Sequence, residues 1–544
     1  MPLNFDLINK PWIPVVHLSD GRTEEVGLRD ALIHAHEYRA VRDPLPTAEF
    51  GLYRVLTALM LDIFQPKNKT ALGRLMGGKR FDAEPVDAYL TEWAGRFDLF
   101  SAKYPFLQTA GMVGEAAKPL AGLLPPIPSG TNAAHFYHAQ EDEFGVSPAA
   151  AARLLTTMAP FMTAGGAGLA PSLNGAPPWY ALIVGETLFE TLCSNAYVLD
   201  RQTLALGKPA WREDKSVVPG ERCLRADLLE GWTWRSRRIQ LVPGGPGRCS
   251  LTGQDSPVLV QRMKFIAGAS CDFTNGGWRD PAVPYKIDDK GSKVMRPTEG
   301  KEVWRDTAPL ALLDARSYTR GDAKIQFRRP QIIEQWAQMI QERYIEPGPL
   351  RLKLYGMRTD LKMKVFEWHA ELMALPCDLV LQDQFATRVQ AEMERAGSVE
   401  YALKRAVQKT YKREGKGNSK AFEDLIAYAQ RQFWHGIHPA WETLLIQMAA
   451  LDPADEEGLG RVQRVWWAAL RKQGEAALAA AVGDLDTDAE ALRRQVDAQQ
   501  SFQNALYVLL ATDSEKAARD AAKKNKKSVK EKTQNERPQG ALAL

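Results

Sequence analysis

Near Pro376 the chain changes texture, and that change constrains its fold more than any other feature. Beyond this point Gly and Pro are sparse, while Leu, Ala, Met and aromatic residues recur every three or four positions. This is the spacing of helices that bury one face. It predicts helices over 381–395, 422–449, 460–482 and 489–511, the second kinked or split where Gly436 and Pro439 fall, because proline lacks an amide proton and clashes with the preceding turn. Polar connections at 414–417 and 452–455 are short, so an antiparallel four-helix bundle is expected. After Ser514 the periodicity fades into Lys-rich sequence, read as a disordered tail.

Upstream of the change, strand and helix signals mix. Trp12-Ile13-Pro14-Val15-Val16 is strand-like, and Ser19-Asp20-Gly21-Arg22 supplies a turn that can return it as a hairpin. Between 48 and 64, Phe50, Leu52, Val55, Leu56, Leu59, Met60 and Ile63 follow helical spacing and predict a helix packed on one face. Two stretches, 119–178 and 243–300, are dense in Gly and Pro and predict long loops with short elements between them. The expected class is α+β: a large mixed N-terminal domain with long loops over 1–372, an all-α four-helix bundle over 373–513, and the tail over 514–544.

Composition then removes function classes. No apolar stretch approaches the roughly 20 residues that span a bilayer, and the first residues lack the basic-then-apolar order of a signal peptide. No membrane partner and a cytoplasmic location are expected. The five cysteines, at 193, 223, 249, 271 and 377, form no CxxC-type knuckle. A Walker loop, an HExxH helix, a GxSxG elbow and a GxGxxG turn are all missing. No catalytic residue, metal or cofactor is therefore expected. The net charge of +4 is misleading, because 516–537 alone carries nine Lys or Arg against three acidic residues and leaves the remainder at −2. Contact with nucleic acid would have to come from local patches, such as Arg235, Arg237 and Arg238 or the run Lys404, Arg405, Lys409, Lys412 and Arg413. A solvated charged face is the commoner reason for such runs.

Several phrases in order resemble one family. They are Phe5-Asp6-Leu7-Ile8-Asn9-Lys10-Pro11-Trp12-Ile13-Pro14-Val15, Tyr104-Pro105-Phe106-Leu107-Gln108-Thr109, Ser129-Gly130-Thr131-Asn132, and the block from Gly165 to Pro178 ending Ser172-Leu173-Asn174-Gly175-Ala176-Pro177-Pro178. Together they resemble the large subunit of the type I-E CRISPR Cascade complex, the CasA family, over most of the chain up to about Lys362. The resemblance implies a non-catalytic subunit that reads the protospacer-adjacent motif of duplex DNA through the minor groove. It also implies that the subunit starts unwinding and R-loop formation and offers a docking surface to a helicase-nuclease in antiviral defence. The implied partners are crRNA and other Cascade subunits, motif-bearing duplex DNA with its displaced strand, and the helicase-nuclease.

By position, the resemblance places a glycine recognition loop on Thr163, Ala164, Gly165, Gly166 and Ala167, where absent side chains let backbone approach base edges. It places a minor-groove lysine on Lys264, whose three donors suit purine N3 and pyrimidine O2 acceptors. A wedge between base pairs falls on Thr359, Asp360 and Leu361; relatives carry an amide at this tip, and here a leucine offers the apolar surface. An anchor to crRNA and a neighbouring subunit falls on His135, Phe136, Tyr137 and His138, aromatics suited to stacking on a splayed base. Some relatives carry a cysteine cluster where only Cys249 remains, so no zinc site is implied. The alternatives left by the residues alone are an ordinary flexible glycine turn and a solvated strand lysine. At the level of function they are a purely structural crRNA- or protein-binding subunit, or a nuclease of unfamiliar type.

Overall fold

The computed structural model describes residues 3–124, 144–165, 168–198, 204–214, 217, 222–271, 277–298, 300–312, 314–320, 323–359, 365–410, 420–483, 488–512 and 515. The chain divides into two compact units, Met1–Asp383 and Gln384–Leu544. The first mixes helices with small sheets and the second is helical, the α+β arrangement that the change of texture predicts.

In the first unit, the hairpin of Ile13–His17 and Thr23–Val26 forms with Val16 opposite Thr23, and Tyr38–Val41 adds a third strand. The opening phrase folds into the turn before it: the Asp6 carboxylate accepts from the Ile8 amide at 2.9 Å, and the Trp12 indole donates to the Leu7 carbonyl at 2.9 Å. The helix Pro46–Phe64 lies at the centre of this unit. It is buried from Thr47 to Asp62 on every side, not on one face as its apolar spacing predicts. The difference comes from its charges, each of which is neutralised by a different element. Glu49 meets Lys353 and Tyr355, Arg54 pairs with Asp280 at 3.0 Å, and Asp62 accepts from Arg212 at 2.7 Å. Breaking such a buried pair costs about 3–5 kcal/mol, so the three contacts fix the helix against the rest of the unit. Gly51 permits the closest approach, since a Cβ there would stand 2.7 Å from the Thr156 carbonyl oxygen.

Two sheets matter for the site. Val260–Ala267 is the middle strand of one, antiparallel to Ala117–Pro119 and to Arg237–Pro243. Leu350–Thr359 is the middle strand of the other, antiparallel to Tyr180–Ile183 and to Val365–Leu375.

The second unit holds helices Asp383–Thr410, Lys420–Ala449, Glu456–Val482 and Ala489–Leu510. The first continues well past the expected end, so Lys404, Arg405 and Lys409 ride on it beside buried Leu403, Ala406 and Val407. Lys412 and Arg413 lie outside the described residues. The second helix is not split, because Pro439 sits inside a continuous run. Only the bond to the residue four before is lost there, and the surrounding turns hold. Trp441 and Trp466 fill the interior with ring centroids 5.5 Å apart. A buried polar group accompanies them: the Glu392 carboxylate accepts from the Trp467 indole at 2.8 Å and from Gln463 at 3.1 Å. Burial nevertheless raises the pKa of this carboxyl above the ordinary value.

Candidate nucleic-acid interface

Strand alternation sorts the Lys264 sheet into two faces. Ile239, Leu241, Met263 and Phe265 turn inward and are buried. In the opposite phase stand Arg238, Gln240, Arg262 and Lys264, with Lys264 directly across from Gln240 and from Ala117. Three cations thus share one partly exposed face. Lys264 is extended, and its ammonium donates to the Met112 carbonyl at 2.5 Å. The Met112 amide in turn donates to Gln240 at 3.3 Å. The phrase Tyr104–Thr109 stiffens the same sheet from its side. The Leu241 amide donates to Gln108 Oε1 at 2.8 Å, and the Thr109 amide to the Ile239 carbonyl at 2.8 Å.

The glycine loop is rooted on this sheet by a residue that the basic run conceals. Arg237 falls in the inward phase with Ile239 and Leu241, is 1% exposed, and is not a surface cation. Its Nη2 donates to the Thr163 carbonyl at 2.7 Å, and its Nη1 donates to the Ala170 carbonyl. One guanidinium therefore grips both ends of the loop. The Phe265 ring lies 5.6 Å from it, and burial pushes its pKa down to about 10, still high enough for a full charge at neutral pH. Thr163 is buried, Ala164 and Gly165 are partly exposed, and the Gly165 amide donates to Leu169 at 3.3 Å. Gly168 takes a φ of +79° with nothing near its Cβ position, a conformation open to glycine and strained for other residues. Gly166 and Ala167 lie outside the described residues.

Beyond the loop, Asn174 is a strut. Its amide donates to the Tyr180 hydroxyl at 3.1 Å and to Asp280 at 3.2 Å, and its carbonyl accepts from the Trp278 indole at 2.9 Å. Asp280 is the partner of Arg54, and Tyr180 begins the strand beside Leu350–Thr359. The block after the glycines therefore links the loop to the central helix and to the second sheet.

Thr359 ends the long strand of the hairpin, opposite Val365 after a register shift; Asp360 and Leu361 lie outside the described residues. The hairpin body is braced. Gly356 packs so closely on Trp179 that a Cβ would stand 2.7 Å from its ring. The His369 ring lies 5.1 Å from Trp179, and Arg358 pairs with Glu367 at 3.2 Å. His135, Phe136, Tyr137 and His138 also lie outside the described residues.

Among the described residues no group of three His, Cys, Asp or Glu is placed to hold a metal ion. Cys249 is buried and accepts from the Ser147 amide at 3.3 Å. No described helix is long and apolar enough to cross a membrane. The described surface presents three cations on one sheet face, each donating to a backbone carbonyl, and a loop of small residues whose ends are fixed.

Comparison with known proteins gives these features a context. The family described as CRISPR-associated protein Cse1 matches residues 6–485. The CRISPR-associated protein CasA/Cse1 of Thermus thermophilus is 28% identical over 511 residues, covering 87% of this chain and 94% of that protein. The crystal structure of Cse1 from Acidimicrobium ferrooxidans superposes with a TM-score of 0.71 at 24% identity, over 93% of this chain and 98% of that one. A chain of a structure described as a CRISPR RNA-guided surveillance complex superposes with a TM-score of 0.71 at 19% identity, over 93% of this chain and 100% of its own.

Proposed function

Since the chain belongs to the CRISPR-associated Cse1 (CasA) family, the large-subunit family of the Cascade surveillance complex, we propose that it reads the protospacer-adjacent motif on duplex DNA without catalysing a reaction. The glycine loop and Lys264 enter the minor groove, and the tip of the Leu350–Leu375 hairpin separates the first base pairs. The opened strand then pairs with crRNA held by the other subunits, and the completed R-loop brings a helicase-nuclease to this subunit. Such a division of labour is general in RNA-guided systems, where base pairing reads the long sequence and protein reads only a short one. A cytoplasmic setting follows from the target.

The observation that carries this reading is the Arg237 clamp. It fixes the Thr163 end of the loop to the strand paired with the one that holds Lys264. In that register Arg237 stands opposite Ala267, three residues from Lys264, or roughly 10 Å along a strand. The clamp grips the loop from the inward face and Lys264 stands on the outward one, so the two share a sheet and are held by adjoining strands of it. Lys264 resting on the Met112 carbonyl supports the same role. A backbone carbonyl and a minor-groove N3 or O2 are equivalent partners for an ammonium, so binding exchanges one acceptor for another. The anchor at His135 to His138 holds crRNA and a neighbouring subunit in this scheme.

Lys264→Ala, introduced into the assembled complex, should weaken binding to motif-bearing duplex on the order of tenfold, the value of one specific base contact. Binding to a target already opened at the motif should be almost unchanged. Equal losses on the two substrates would remove the minor-groove assignment.

A further inference from the structure

Two cysteines that lie far apart in sequence are brought together by a pair of short strands. Arg222–Cys223 and Ser270–Cys271 run parallel, with Ser270 opposite Arg222 and Cys271 opposite Cys223. Side chains alternate across a strand, so residues paired in register project to the same face. Adjacent strands lie about 4.8 Å apart, inside the roughly 4.4–6.8 Å between Cα atoms that a disulfide spans.

The chain carrying Cys271 is fixed before and after it. Before it, this chain continues the strand of Lys264: the Gly268 amide donates to the Ser236 carbonyl at 3.1 Å, and the Ala269 amide to the Arg235 carbonyl at 2.9 Å. After it, the Ala226 amide donates to the Gly277 carbonyl at 3.1 Å, and a Cβ at Gly277 would stand 1.8 Å from the Leu224 carbonyl oxygen. Only glycine allows that approach. The segment with Cys223 is thus held against the segment with Cys271, and a cross-link needs no rearrangement of distant elements.

Access separates these two thiols from the others. Cys193 and Cys249 are buried, and burial pushes the Cys193 thiol well above its ordinary range. Cys377 is half-buried at the start of the helix Cys377–Leu381, and burial raises it as well. Cys223 and Cys271 are half-buried, and Cys223 lies between exposed Arg222 and Leu224, the latter 70% exposed. A cysteine reacts through its thiolate and only where a reagent reaches it.

We propose that Cys223 and Cys271 are a redox-active dithiol, which a small-molecule disulfide such as oxidised glutathione converts to an intramolecular disulfide. One protein thiolate attacks the small disulfide, forms a mixed disulfide and expels one small thiolate. The other cysteine, as its thiolate, attacks the protein sulfur of that intermediate and expels the second. The protein loses two protons and two electrons, and the small disulfide becomes two thiols. The link ties the chain that continues the Lys264 strand to the segment 222–226. Where glutathione and thioredoxin keep thiols reduced, it forms when that poise turns oxidising and reverses when the poise returns.

The whole chain, incubated with oxidised glutathione and then alkylated in denaturant, should lose two of its five thiols. Digestion should yield one linked peptide joining Cys223 to Cys271, and dithiothreitol should restore both thiols. Phenylarsine oxide, a reagent that bridges neighbouring thiols, should shield the same two from alkylation of the native chain. Either Cys223→Ser or Cys271→Ser should abolish both the link and the shielding. In the linked chain, amides over 268–271 should exchange about tenfold more slowly than in the reduced one, as for an element whose local opening is restrained. Glutathione adducts without the linked peptide, a link between other cysteines, or an arsenical that shields no thiol overturns the proposal. So does unchanged exchange over 268–271 in the linked chain.

Discussion

Arg237 shows how one residue can fix both ends of a glycine turn. Its side chain supplies donors to the Thr163 and Ala170 carbonyls and stays cationic at neutral pH. A cation whose folded value is depressed imposes its burial cost at every pH below that value, here about 10, and the two carbonyl contacts offset it. Arg237→Met should therefore fill the same space, cost about 1–3 kcal/mol for the orphaned carbonyls, and speed amide exchange through 163–170 at least tenfold. Unchanged exchange there would show that the loop holds itself. The signal for this role was present in the sequence. Arg237 is in phase with Ile239 and Leu241, whereas Lys264 is out of phase with Met263 and Phe265, so alternation alone separates the buried cation from the outward one. Counting cations as a run hides that distinction. Asn174 was not legible in the same way, because its three partners come from positions 180, 278 and 280, and nothing local announces them.

At the scale of elements, periodic apolar residues were a reliable guide and charges were not. The helix Pro46–Phe64 was evident from its spacing, yet its complete burial depended on Lys353, Asp280 and Arg212 arriving from distant sequence. Asp383–Thr410 runs on through Gly397 and Ser398, past the end expected at 395, with Val399, Leu403, Ala406 and Val407 buried beyond them. Within the bundle, Glu392 makes stability depend on pH. Burial raises its folded value above the ordinary one, so the folded state holds the extra proton. The contribution is complete below the unfolded value and is lost as pH rises through the folded one. Thermal unfolding of the whole chain against its Glu392→Gln variant should show the wild type gaining on the variant as pH falls from 7 toward 4.5. A difference that is flat, or that grows with rising pH, would mean that the Trp467 and Gln463 contacts, with the Arg395 guanidinium 3.3 Å from the carboxylate, outweigh desolvation.

For the whole molecule, the change of texture near Pro376 and the ordered phrases of the N-terminal region were enough to indicate the class and the family. Two of the phrases turn out to be scaffold: Asp6 and Trp12 shape a turn, and Gln108 staples the Lys264 sheet. Because the chain outside 516–537 carries a net charge of −2, the DNA affinity we propose rests on the placed cations and the loop and not on overall attraction. The central claim is that the glycine loop reads duplex DNA, and shortening Gly165 to Gly168 tests it most directly. In the assembled complex at fixed salt, mobility shifts on duplexes that differ only in the flanking motif should show strong discrimination for the wild type. The shortened chain should bind all of them with the same weak affinity, while still binding a pre-opened target. Intact motif discrimination after shortening would contradict the account and leave the subunit as a scaffold for RNA and protein alone.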